Sequence, residues 1–110
     1  MFKPQADPKK SAAVTAADHA YVFHSWSAQG QIAPIPVAGS SGSRFWDYEG
    51  KTYLDFSSQL VFTNIGHQHP KVVKAIQDQA ARLTTIAPQH ANDMRGIAAK
   101  KLTDLAPEGM

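Results

Sequence analysis

Residues 43–70 read SRFWDYEGKTYLDFSSQLVFTNIGHQHP, and the way this stretch folds decides how the rest of the chain is arranged. Its first half holds two segments, SRFWDY and KTYLDF, rich in aromatic and β-favouring residues and read as strands. Between them Asp47 and Gly50 fit positions i and i+3 of a type I turn, with Gly50 at positive φ in a bulge. That register sets Phe45 against Tyr53 and Trp46 against Thr52. A two-residue Glu49–Gly50 loop would pair Trp46 with Tyr53, and it is disfavoured because Glu tolerates positive φ poorly. Leu60 to Ile65 is a short apolar run, predicted as strand or extended. Pro70 suits the first position of a helix. Val72, Val73, Ile76, Ala80 and Leu83 follow at helical spacing, and that helix is expected to end near Thr84 or Thr85, before Pro88.

Toward the N-terminus, Pro34 and Pro36 impose extended backbone on IAPIPVAG. AGSSGSR reads as a turn between two extended segments. From Thr15 to Phe23, TAADHAYVF suits a short helix with Thr15 as N-cap and Asp18 as its acidic partner. Residues 1–13 are polar, with two prolines and three lysines, and are predicted to form a flexible arm. Toward the C-terminus, Asn92 is placed to cap a helix whose apolar face is Ile97, Ala98, Leu102 and Leu105, and which stops before Pro107. No internal repeat is visible. Strands and helices do not alternate, so the fold class is α+β rather than a doubly wound sheet. Two strands and three helices make a thin core, and every apolar face needs a cover. The chain therefore reads as one part of a larger assembly, with exposed apolar surface and weakly cooperative unfolding.

Composition narrows the chemistry. The chain has 110 residues, 43% of them hydrophobic, which rules out wholesale disorder and allows one domain at most. The net charge is only +2, and Lys9-Lys10 and Lys100-Lys101 form no stripe with interleaved aromatics, which argues against nucleic acid as a partner. The absence of cysteine excludes disulfides, thiolate metal sites and cysteine nucleophiles. No apolar run approaches the length of about 18 residues needed to span a membrane, so no membrane partner and a cytoplasmic location are expected.

The candidate sites each face a plainer alternative. His67 and His69 would present two imidazoles to a metal from an extended segment, the second reading being a small non-catalytic binding module built on them. A zinc site needs three or four ligands. His90, His19 and His24 stand at no recurrent metal spacing, so no metal site is assigned. The plainer reading is a turn whose imidazoles bond to backbone, with His69 at the entrance of the Pro70 helix. AGSSGSR lacks the following helix start that an anion cradle needs. SSGS is not a strained nucleophile elbow. Asp47 shapes its turn, and the role of Asp55 is open. Trp26, on the irregular stretch HSWSAQG, is either a wall of a ligand pocket or a plug at the edge of the core. No complete catalytic set emerges from the residues alone.

The combination Gly42, Trp46-Asp47, Gly50, Tyr53-Leu54-Asp55, Gly66-His67 and His69-Pro70 resembles the N-terminal region of class III pyridoxal-phosphate aminotransferases. HSWSAQG and SSQLV look most like the branch of omega-amino acid and taurine:pyruvate aminotransferases. The resemblance covers about residues 20–109. It implies a fold-type I transferase, homodimeric, of which this chain supplies the small-domain helix and antiparallel strands and then two helices leading to the large domain. The domain boundaries it implies are an arm over 1–13, the N-terminal part of the small domain over 14–66 and the helical start of the large pyridoxal-phosphate domain over 67–110, truncated there. It implies transfer of an amino group from an amine or ω-amino acid to pyruvate or another keto acid. It also implies that the cofactor-binding residues and the Schiff-base lysine lie beyond the chain, since none of its eight lysines sits in a matching motif. No catalytic residue is assigned and the chain alone is expected to be inactive. By the same resemblance Trp26, Leu60 and Val61 line the substrate pocket, Val61 standing where several amine-accepting relatives carry an aromatic and so favouring a slim ω-amino acid. Ile86 and Ala87 match a segment that reaches the partner subunit's pocket.

Overall fold

The computed structural model describes residues 5–109. In chain order the elements are helix α1 (Pro8–Tyr21), a 3₁₀ turn (Gln29–Gln31), strands β1 (Val37–Ser41), β2 (Arg44–Asp47) and β3 (Thr52–Leu54), a single turn α2 (Ser58–Val61), and helices α3 (Pro70–Arg82) and α4 (Asp93–Leu105). The strands form one antiparallel sheet in the order β1-β2-β3. The chain divides into two compact units after Val73, inside α3.

The first unit is built around the β2–β3 hairpin. Its register is Arg44↔Leu54, Phe45↔Tyr53 and Trp46↔Thr52, as the Asp47–Gly50 turn demands. Gly50 has φ 84 and its N–H donates to the Asp47 carbonyl at 3.2 Å. The Phe45 and Tyr53 rings stack with centroids 5.0 Å apart. The third strand, β1, pairs Ser41 with Arg44 across a two-residue Gly42–Ser43 loop, with Gly42 at φ 58 in the position a tight hairpin reserves for glycine. Sequence reading expected only extended backbone here. VAGSS carries no apolar alternation to mark a strand, and its pairing is bought by its neighbour: the Trp46 ring lies across Gly39, where a Cβ would stand 2.8 Å from Cζ2.

Helix α1 starts well before the expected Thr15. Asp7 is the N-cap, its carboxylate accepting from the Lys10 N–H at 3.0 Å, and Pro8 occupies the first turn. Pro8 thus opens the helix, its fixed φ and missing N–H suiting that position, and the alanine-rich run beyond it propagates. The arm expected over residues 1–13 is therefore helical from Pro8 onward; its first four residues lie outside the described ones. The helix is fastened to the hairpin turn by the Asp7 N–H on the Tyr48 carbonyl at 2.6 Å, by Ser11 Oγ on Glu49 Oε1 at 3.2 Å and by Lys10 Nζ, 4.9 Å from the Tyr48 ring centroid.

The second unit holds the rest of α3 and α4. Asn92 caps α4 by accepting from the Arg95 N–H at 3.1 Å, and α4 ends at Leu105, both as predicted. α3 starts at Pro70 as predicted and ends at Arg82, slightly short of Thr84. Arg82 Nη2 donates to both Asp93 oxygens at 2.8 Å, and this guanidinium holds the Asp93 carboxyl below its ordinary range. Among the described residues no hydrophobic side chain is buried, which is the exposed apolar surface expected of helix and sheet faces without a cover. No described helix is long and apolar enough to cross a membrane.

Candidate functional site

Asp55, just past β3, organises everything between the sheet and α3. Its side chain is only 3% exposed. Oδ1 accepts from the Gln59 N–H at 3.2 Å and from Ser57 Oγ at 3.2 Å. Oδ2 lies 2.7 Å from His67 Nε2 and 3.5 Å from Thr63 Oγ1. Desolvation pushes the carboxyl toward the neutral form, but the bonds from His67, Gln59 and Ser57 outweigh it and bring the pKa down to about 2. The carboxylate is charged and fully engaged at neutral pH.

The segment it holds is unusual. Ser58, Gln59, Leu60 and Val61 have φ of 50, 48, 61 and 66, and the turn is closed by N–H to carbonyl bonds from Val61 to Ser57 at 3.0 Å and from Phe62 to Ser58 at 2.8 Å. α2 is thus one turn of left-handed helix built without glycine. The strand or extended course expected from Leu60 to Ile65 is not formed, since Leu60 and Val61 belong to this turn. Left-handed backbone costs roughly 1–2 kcal/mol per non-glycine residue, and a β-branched residue such as Val61 is a marked outlier there. Residues in such conformations persist where their surroundings over-determine them, and they cluster at functional sites. Leu60 and Val61, the two residues on this turn that the resemblance assigns to the substrate pocket, stand out from it 72% and 71% exposed.

The far side of the turn is tied to the sheet. His67 exchanges two backbone bonds with Gly42, N–H to carbonyl at 2.7 Å and carbonyl to N–H at 3.0 Å. Gly66 has φ 84, and a Cβ there would meet the Gly42 oxygen at 3.2 Å, so any other residue is strained by its backbone and crowded by Gly42. The turn reading expected the imidazoles to bond to backbone; instead the His67 ring goes to Asp55, and it is the His67 backbone that pairs with Gly42. The His69 carbonyl receives the Val72 and Val73 N–H groups at 3.0 Å each, opening α3. His69 Nδ1 is buried without a partner among the described residues. Nε2 of His67 is engaged by Asp55, and no group of three or more His, Cys, Asp or Glu among the described residues is placed to hold a metal ion.

Trp26 sits in a second polar clamp. It has φ 65 and is fully exposed, in a turn bracketed by Gln29. The Gln29 amide oxygen accepts from the His24 N–H at 3.0 Å, and its nitrogen donates to the His24 and Ser27 carbonyls. His24 Nε2 lies 2.7 Å from Asp18 Oδ2. A shallow depression of about 320 Å³ beside this clamp is lined by Tyr21, Phe23, His24 and Ile32 among others, and Trp26 is not part of it. Leu60 and Val61 are thus brought together on α2, while Trp26 projects from a separate loop. In the second unit Ile86 and Ala87 lie on the loop between α3 and α4, both exposed. That loop is held by Arg95 Nη1, which donates to the Pro88 and His90 carbonyls at 3.2 Å each.

Sequence reading missed the Asp55–His67 pair. The signal was present as an aspartate and a histidine flanking one apolar run, but nothing in the spacing says that the run coils left-handed and so brings its ends together.

The chain matches the class-III aminotransferase family over residues 26–110. The mitochondrial ornithine aminotransferase of Arabidopsis thaliana is 42% identical over 74 residues, covering 66% of this chain and 16% of that protein. Among solved structures, the taurine:2-oxoglutarate aminotransferase of Bifidobacterium kashiwanohense, in complex with PLP and glutamate, superposes with a TM-score of 0.83 at 40% identity, covering 87% of this chain and 21% of that one. An S-selective transaminase from Arthrobacter sp. gives a TM-score of 0.76 at 28% identity, covering 83% and 20%. The chain thus spans about a fifth or less of the length of these relatives. Pyridoxal phosphate is the cofactor of this family, and the residues described here do not fit it. Schiff-base lysines are desolvated or crowded by charge to lower their pKa, whereas every described lysine is exposed. Lys74 and Lys100 are paired with Asp78 and Asp104 along their own helices, and Lys10 and Lys51 lie over the rings of Tyr48 and Tyr53.

Proposed function

The chain belongs to the class-III aminotransferase family, and on that premise we propose that it builds a wall of the substrate pocket in a transaminase that moves an amino group from an amine or ω-amino acid to pyruvate or another keto acid. One observation carries this reading: Leu60 and Val61 are exposed on a backbone turn that is costly to form and held by a buried carboxylate. A chain does not keep four left-handed residues to display two aliphatic side chains to water. An aliphatic residue at Val61 leaves room for a slim donor, and taurine, named for the Bifidobacterium relative, is such a molecule. The chemistry belongs to pyridoxal phosphate and a lysine outside the residues described here, so the chain alone is inactive. Trp26 completes the pocket wall, Ile86 and Ala87 reach the pocket of a partner subunit in a homodimer, and the enzyme works in the cytoplasm.

The test replaces the matching segment of the Bifidobacterium enzyme with residues 26–109 and measures donor preference. The expected result is turnover of taurine and similar slim ω-amino acids in preference to aryl amines. Val61→Trp then cuts use of the slim donor by about tenfold or more, the scale at which pocket shape discriminates. Preference for aryl amines with Val61 in place, or indifference to Val61→Trp, overturns the reading. The 110-residue chain mixed with pyridoxal phosphate gives no stoichiometric Schiff-base absorbance.

A further inference from the structure

We infer that Asp55 is a specificity-positioning residue, holding α2 left-handed and so fixing how Leu60 and Val61 meet the amino donor. The inference rests on the pocket-wall reading above and adds a residue that touches no substrate. The argument starts from the backbone. Without an external restraint, each of Ser58–Val61 is more stable outside the left-handed region. The three backbone bonds that close this single turn, from Val61 to Ser57 and from Phe62 and Thr63 to Ser58, do not offset that, because a lone helical turn is unfavourable even in the preferred hand. The restraint has to act on both ends of the turn, and Asp55 is placed to do so. Oδ1 takes the entering end through Ser57 Oγ and the Gln59 N–H. Oδ2 takes the leaving end through Thr63 Oγ1 and is itself fixed by His67.

His67 is in turn fixed to the sheet by its two backbone bonds with Gly42. The sheet therefore sets His67, His67 and Asp55 set the ends of α2, and α2 sets the direction of Leu60 and Val61. A right-handed or extended course between the same ends carries these two side chains elsewhere. Donor discrimination then depends on a carboxylate behind the pocket wall.

The experiment has a structural and a functional arm. In the whole 110-residue chain, left-handed residues give strong intraresidue amide–Hα NOEs, and these are read at Gln59, Leu60 and Val61. Asp55→Ala is expected to abolish them. Asp55→Asn, which keeps one acceptor oxygen for the Gln59 N–H, is expected to restore part of them, and it decides the matter if the alanine variant does not fold. Asp47→Ala, in the neighbouring turn, leaves them unchanged. In the spliced enzyme, Asp55→Ala is expected to reduce discrimination between a slim ω-amino acid and an aryl amine by about tenfold, the scale of a misplaced pocket wall, whereas general destabilisation lowers both donors alike. Full NOEs in both Asp55 variants overturn the inference. Lost NOEs with unchanged discrimination, where Val61→Trp still alters it, overturn the inference and leave the pocket wall standing. If neither Asp55→Ala nor Val61→Trp alters discrimination, the pocket wall falls and the inference with it.

Discussion

Two aspartates eight positions apart each hold a turn, and they do so in opposite circumstances. Asp47 accepts from the Glu49 and Lys51 N–H groups at 2.9 Å each and from the Tyr53 hydroxyl at 2.8 Å. These bonds outweigh the desolvation of its buried carboxyl and lower its pKa, and the same contact raises that of Tyr53. The turn it holds is one the backbone favours: two strands pair on either side, and glycine occupies the position of positive φ. Asp55 makes the same kind of contacts, but the turn it holds is one the backbone resists, with Ser, Gln, Leu and Val where glycine would be easy. A carboxylate in a favoured turn reinforces it. A carboxylate in a disfavoured turn is what keeps it in existence. On the proposed reading the difference separates a scaffold from a pocket wall, since backbone conformations that need an external restraint cluster at functional sites.

The comparison breaks most visibly at its two glycines. Gly50→Ala puts a side chain at φ 84 in the favoured turn and is expected to destabilise the chain by about 1–2 kcal/mol. Gly66→Ala carries the same φ and also drives a Cβ to 3.2 Å from the Gly42 oxygen, so its loss is larger and includes the Gly42–His67 pairing. Amide exchange at Gly42 and His67 against that at Lys51 reads the difference. Equal protection losses for the two substitutions would show that the Gly66 approach is not tight.

Acid gives a smaller, graded contrast. The Asp55 carboxyl, at about 2 when folded, lies below its unfolded value of about 3.9. Its contribution to stability is complete above the unfolded value and is lost as pH falls through the folded one. The left-handed NOEs are therefore expected to persist to about pH 4 and fade toward about pH 2. Asp47 is lowered in the same direction, but its hairpin keeps its strand pairing and Gly50 when the carboxyl is neutralised, so the Phe45–Tyr53 contacts outlast α2. Simultaneous loss of the two turns would mean that Asp55 is no more essential to its turn than Asp47.

How much of this was legible in the sequence follows the same line. The hairpin register, the Pro70 start and the Asn92 cap rest on rules that act within a few residues, and Asp47, Gly50, Pro70 and Asn92 spell them out. β1 was invisible because VAGSS has no pattern of its own and is a strand only through Trp46 and its neighbours on β2. The start of α1 lies ahead of the expected Thr15 because polarity, two prolines and three lysines make residues 1–13 resemble an arm, although Asp-Pro followed by an alanine-rich run is also a helix opening. α2 was misread because an apolar run such as LVFTNI is ambiguous by periodicity, and its hand is set by an acceptor outside the run. The resemblance pointed at Leu60 and Val61 without saying what holds them. The structure supplies the holder.

The most direct measurement is the backbone of the wild-type chain itself. Intraresidue amide–Hα NOEs at Gln59, Leu60 and Val61 are expected to be as strong as those of the positive-φ glycines Gly50 and Gly66, with the His67 ring proton signals showing contacts to Asp55. Weak NOEs at these three residues, typical of right-handed or extended backbone, would contradict the claim that Asp55 holds a left-handed turn to present Leu60 and Val61.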